Sequence, residues 1–184
     1  MTTQIDSGLI KSDPTVDTVL RAYAPELGQD AVAYRNHVYR VMNLCAAIAK
    51  DGANFEKIAI AAVFHDLGIW TNKTFDYIDP SVALAREYLV RQGRTEWVEE
   101  IETMIAEHHK ITPSAANPLS LVEPFRQADW IDVTRGLRTF GLPRQLITSI
   151  LTAWPNTGFH RRLVMLTLER LRTHPLDPLP MVRL

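Results

Sequence analysis

Residues 55–68 read FEKIAIAAVFHDLG, and the way this stretch folds decides the rest. Ile58, Ala61, Ala62 and His65 recur at offsets of three, four and seven, and Asp66 follows Ala59, Ala62 and Val63 in the same manner. That is the period of an α-helix, so both polar residues extend apolar stripes. Adjacent helical positions differ by about 100° in direction, so His65 and Asp66 can converge on one point only where the helix ends. Gly68 is placed to end it in the left-handed conformation.

Working outward, the preceding segment repeats the pattern: His37 opens a stripe continued by Val41, Leu44, Cys45 and Ile48. Downstream, His108 closes the stripe of Val98, Ile101, Met104 and Ile105, with His109 at its margin. Asp129 follows Val122 and Phe125 and precedes Val133, while Asp132 sits on the adjoining edge. A single inward histidine is more often a hydrogen-bonded core residue than a ligand. Metal-capable side chains on four apolar stripes are a rarer conjunction.

The same periodicity predicts an all-α chain, with helices at about 15–23, 31–50, 55–67, 80–92, 96–109, 120–139, 143–153 and 159–172. Alternating Val/Ile/Thr runs, the mark of strands, are missing. Asp79-Pro80 reads as an N-cap followed by a first-turn proline, Gly93 as a helix stop and Thr95 as a cap. ITPSAANPLS, after His109, reads as a proline-interrupted loop. The expected layout is a loose polar segment over 1–14, one helical bundle over 15–173, and a proline-rich arm over 174–184.

Composition bounds the chemistry. With 184 residues, 46% of them hydrophobic, the chain is sized for one domain. Twenty Lys+Arg against 21 Asp+Glu give no basic footprint for a nucleic-acid polymer or an anionic membrane, so a small-molecule substrate is expected. Homo-oligomerisation is left open. Cys45, in an apolar stretch, reads as a buried small hydrophobe, and a lone cysteine excludes a disulfide framework. There is no basic-then-apolar leader, and no run of 18 uncharged apolar residues, so the expected compartment is the cytoplasm.

Burying a carboxylate without a cation costs several kcal/mol, so Asp66 and Asp129 among imidazoles call for a positive partner. Two imidazoles and two carboxylates suit one divalent transition metal ion (Mn, Fe, Co, Ni or Zn), with positions left open for water and substrate.

The order His37 (RNHVYRV), His65-Asp66 (AAVFHDLG) and Asp129 (FRQADWIDV) resembles the HD superfamily of metal-dependent phosphohydrolases, over roughly residues 31–140. The resemblance implies an all-α helical bundle, a divalent metal held by those four side chains, and hydrolysis of a phosphoester. Binuclear relatives, including di-iron oxygenases, carry a histidine near the start of the helix after HD. The corresponding DYIDPSVALA has none, which favours one metal, with Asp79 the alternative ligand. Some mononuclear nucleotidases carry an acidic residue shortly after HD, where this chain has LGIWTNK. Hydratases acting on nitrile-like substrates share the scaffold, and a metal-dependent binding module without turnover is the non-enzymatic alternative.

On this reading a metal-activated water is the nucleophile, oriented by Asp66 or Asp132, and His108 or His109 protonates the leaving oxygen or binds phosphate. Lys73 and Lys110 lie just beyond HD and HH, where a cation could meet a phosphate, though ordinary solvated lysines are as common there. Trp70 could stack on a base, against the more frequent reading of core packing.

Overall fold

The structure, a computed structural model, describes residues 3–6, 8–49, 54–115, 117 and 120–182. The helical bundle expected from the apolar periodicity is present. A two-stranded antiparallel hairpin, β1 (Gln4–Asp6) and β2 (Leu9–Ser12), leads into α1 (Pro14–Ala22) and the short α2 (Ala24–Leu27). The longer α3 (Ala31–Ala49) follows, then α4 (Phe55–Phe64), α5 (Gly68–Thr71), α6 (Ile78–Arg91) and α7 (Val98–Glu107). The chain closes with α8 (Val122–Val133), α9 (Arg144–Ala153) and α10 (Phe159–Thr173). Residue 50, the last of the helix expected over 31–50, and residues 116, 118 and 119 of the proline-interrupted loop lie outside the described residues.

Helix α3 is the axis of the bundle. Its residues from Tyr34 through Cys45, Arg35 excepted, are buried against α4, α8 and α9. A helix covered on nearly all sides tolerates polar residues only when each finds a partner. Asn43 shows how: its Oδ1 accepts from Ile10 N at 2.8 Å and its Nδ2 donates to Ile10 O at 3.1 Å. That bridge fastens the hairpin to the core. Within the segment expected to be loose, Gln4–Asp6 and Leu9–Ser12 pair as strands, and at Ile10 a partner 33 positions away satisfies the backbone.

Local chemistry explains several boundaries and corrects others. Asp13 caps α1, its Oδ1 accepting from Thr15 N and Val16 N, and Asn54 does the same for α4. Gly93 ends α6 as expected: its φ is +67°, its N–H donates to Val90 O, and Arg94 N donates to Leu89 O, a Schellman closure. The helix from 120 to 139 instead stops at Val133, because Arg135 (φ +54°) and Gly136 donate to Asp132 O and Ile131 O in the same closure. The closure does carry a glycine, Gly136, but one position after the left-handed site that ends the helix, which Arg135 occupies.

Three expected caps are not formed. Asp79 lies exposed in the first turn of α6, which begins at Ile78 with no side-chain cap. Thr95 starts a 3-10 turn over Thr95–Trp97 rather than capping α7. Gly68 is not left-handed. Its role is proximity: a Cβ there would lie 2.6 Å from Tyr77 O and 2.9 Å from Ser81 Oγ, and its N–H donates to Ser81 Oγ at 3.0 Å. The start of α6 is thus seated directly on the turn after His65-Asp66. Among the described residues no helix is long and apolar enough to cross a membrane.

Candidate metal centre

Four helices deliver their polar residues to one point. His37 projects from the middle of α3, and His108 caps the C-terminus of α7, with His109 next to it. Asp129 and Asp132 come from α8. Helix α4 ends at Phe64, His65 is its C-cap, and the following turn tightens as Leu67 N bonds Phe64 O at 3.1 Å. Leaving the helix there lets the adjacent His65 and Asp66 side chains converge, which a continuing helix would forbid.

The geometry is tight. His37 Nε2 and His65 Nε2 lie 2.8 Å apart. Each is 3.5 Å from Asp66 Oδ2 and 3.7 Å from Asp129 Oδ1. On the other side of Asp66, its Oδ1 faces His108 Nε2 at 3.4 Å, and His109 Nδ1 lies 3.3 Å from Asp129 Oδ2. Ligand-capable atoms of His37, His65 and Asp66 form one group within 4.8 Å, and those of Asp66, His108 and His109 form a second that shares the aspartate.

Hydrogen-bond accounting shows what the centre lacks. His65 Nδ1 lies 2.8 Å from Ala62 O and His108 Nδ1 lies 2.6 Å from Ile105 O. Carbonyl oxygens only accept, so both Nδ1 atoms carry the proton and both Nε2 atoms of neutral rings present lone pairs. His37 Nδ1 likewise donates to the Asp132 carboxylate at 2.7 Å. The interior of the cluster is therefore a shell of acceptors. Asp66 Oδ1, both Asp129 oxygens and His108 Nε2 are buried with no hydrogen-bond partner. A buried acceptor left unsatisfied costs about 1–3 kcal/mol, more when charged, so four together make a setting that a cation at the centre would satisfy. The donor set, two to four imidazoles with two carboxylates, fits a borderline divalent transition metal.

Without a cation, protons redistribute to compensate. Burial pushes the His37 imidazolium down, but Asp132 and Asp66 outweigh it and raise the group to about 9. Burial, with the nearby His37 and His108, takes His65 down to about 3. Burial raises Asp129 to about 7, helped by the charges of Asp66 and Asp132 and opposed by His108 and His37. Asp66 is held well below the usual carboxylate range, because His65, His108 and His37 overcome its burial.

The structure places the other expected site residues unevenly. Asp132 is buried behind His37 rather than at the stripe's edge, and both its oxygens are taken: Arg40 Nε donates to Oδ1 at 2.5 Å, and Arg40 Nη2 donates to Oδ2 at 2.9 Å beside His37. Its geometry is that of a carboxylate fixing the tautomer of the His37 imidazole. The His109 side chain, 12% exposed, is the most accessible of the cluster, and its Nε2 meets Tyr77 Oη at 2.8 Å. Trp70 is core: its ring packs on Tyr34 at 4.7 Å and its Nε1 donates to Asp30 Oδ2 at 3.0 Å. Lys73 is exposed, and Lys110 Nζ lies 3.9 Å from Glu107 Oε2. Asp79, exposed, is not part of the cluster.

Three contributors escaped the sequence reading. Arg40 forks onto Asp132. Phe159 stacks on the His37 ring, with centroids 3.9 Å apart and planes 14° apart. Tyr77 holds His109. Only Arg40 left a signal: at three residues from His37 it shares the inward face of α3, where a guanidinium needs a carboxylate.

A family model described as HD domain matches residues 34–134. No curated protein and no solved structure matches the chain. The matched span contains every residue of the acceptor shell and Asp132, and leaves out Phe159.

Proposed function

Since this chain belongs to the HD-domain family, we propose that it is a metal-dependent phosphohydrolase acting on a small phosphorylated metabolite or nucleotide. The observation that carries the reading is the shell of buried acceptors with no donor among Asp66, Asp129 and His108. His37, His65, Asp66 and Asp129 would hold one divalent ion. Such an ion supplies Lewis acidity, polarising a substrate oxygen and acidifying a water molecule.

The chain's own groups do the rest. Asp66, with oxygens facing two different sets of imidazoles, orients the attacking water. Asp132 holds the His37 Nδ1 proton, so that Nε2 stays a lone-pair donor. His109, at 12% exposure the most accessible member, is the one a substrate would meet first, and it or His108 would donate a proton to the leaving oxygen. The second group, Asp66 with His108 and His109, offers a place for a second ion that shares Asp66. Metal stoichiometry separates the two occupancies.

One observation favours a second reading, hydration of a small uncharged substrate. Arg40 is committed to Asp132, Arg126 to Glu123 and to Lys110 O, and Lys110 lies beside Glu107. Among these cations none is spare to offset a phosphate dianion. The test is metal analysis followed by turnover assays on nucleoside monophosphates, sugar phosphates, an aryl phosphate and small nitriles. Phosphate release from any ester supports the first reading. Amide formation from a nitrile, with no phosphate release, overturns it in favour of the second.

A further inference from the structure

On the far side of Asp132 from the metal centre lies a separate cavity of about 260 Å³, several times the roughly 30 Å³ share of a water molecule. Arg40, Asp132, Arg135, Trp154, Asn156 and His160 line it. Its polar inventory mirrors that of the metal centre with the sign reversed.

The acceptors on the wall are engaged. The Asp132 carboxylate takes Arg40 and His37, and the Asp132 carbonyl takes Arg135 N and His160 Nε2, the latter at 3.0 Å. Trp154 O accepts from Arg40 Nη1 at 2.9 Å, and Pro155 O accepts from Asn36 Nδ2 at 2.7 Å. Asn156 Oδ1 accepts from Gly158 N and His160 N, while its Nδ2 contacts His160 Nδ1.

Two donors are not engaged. Trp154 is 8% exposed, and its Nε1 is buried without a hydrogen-bond partner. Arg135 is exposed, and beyond the bond its backbone N–H gives to Asp132 O no hydrogen bond or ion pair of its guanidinium is found among the described residues. The Asp132 carboxylate on the same wall is engaged by Arg40 and His37. Arg135 also occupies the left-handed position that ends α8, at φ +54°, where glycine is the unstrained choice. Non-glycine residues held in that region concentrate at functional sites.

We propose that this cavity is a binding site for a small oxyanion, recognised by the Arg135 guanidinium and the Trp154 indole N–H. An oxyanion accepts from both donors at once, with a charge-assisted bond to the guanidinium. None of His37, His65, Asp66 and Asp129 lines this cavity. Its residues past position 134 lie outside the span matched by the family model.

Inorganic phosphate is the probe, titrated into metal-loaded protein at constant ionic strength while the four indole N–H signals are followed by ¹H–¹⁵N NMR. Trp154→Phe, which keeps a ring against Tyr39, identifies the Trp154 signal. That signal shifts saturably with phosphate, and Arg135→Gln, an exposed substitution, weakens the apparent affinity about tenfold or more, as expected for one charge-assisted contact. Should Trp154→Phe fail to fold, the phosphate-dependent rise in Tm, smaller in Arg135→Gln than in the parent, gives the same reading. A Trp154 signal that does not move, or titration curves that coincide in the parent and Arg135→Gln, overturn the proposal. Phosphate effects lost in Asp129→Asn but kept in Arg135→Gln also overturn it, by placing the anion on the metal.

Discussion

His37 Nδ1 and Asp132 Oδ2 meet at 2.7 Å across the interface of α3 and α8, with Arg40 locking the same carboxylate from behind. This contact fixes which imidazole nitrogen faces the centre. Asp132→Asn therefore lowers metal affinity about 10- to 100-fold, the usual cost of losing an outer-shell carboxylate. It also leaves Arg40 buried without its counter-charge, at about 3–5 kcal/mol. A chelator-competition titration measures the first effect, and unchanged affinity would remove Asp132 from the account.

Metal removal lowers the melting temperature. A ligand that binds only the folded state stabilises it by about 4 kcal/mol when its free concentration is about a thousandfold above its dissociation constant. For a chain of this size that is a shift of roughly 10 °C. Calorimetry of protein shown to be metal-free by elemental analysis, before and after reloading, reads the difference. Identical melting in both forms speaks against a buried cation.

His108→Ala separates holding the metal from using it. His37, His65, Asp66 and Asp129 remain, so the variant keeps at least one ion per chain while turnover falls about 100-fold or more. Complete loss of metal from this variant would make His108 an indispensable ligand.

Gly68→Ala tests the seating of α6 on the HD turn. The new Cβ would sit 2.6 Å from Tyr77 O, a backbone atom that can yield only by shifting the helix. The expected loss is about 1–3 kcal/mol in urea denaturation. A neutral result would show that α6 can move away from the centre freely.

Much of this was legible in the chain, and the exceptions share a cause. The helical period through Ile58, Ala61, Ala62 and His65 sufficed to bring His65 inside, although α4 is buried on every side from Ile58 to Phe64. The place of Asp129 followed from the same argument on α8. Contacts made over long separations left no such trace. The bond between Asn43 and Ile10 that orders the hairpin spans 33 residues, and the one between Arg40 and Asp132 spans 92. Asp132 looked peripheral because a stripe's edge on one helix says nothing about what the neighbouring helix brings to it. Gly68 was read for its backbone freedom, when the space it leaves for Tyr77 O was the point.

The central claim is that a cation completes the shell formed by His37, His65, Asp66 and Asp129, and Asp129→Asn tests it most directly. The substitution keeps the side chain's shape and removes its charge. Metal content by elemental analysis, measured beside circular dichroism, is the readout. The account predicts at least one divalent ion per chain in the parent protein, and a large loss of metal from Asp129→Asn with helicity preserved. Full occupancy in Asp129→Asn, or a parent protein that takes up no divalent metal, would contradict it.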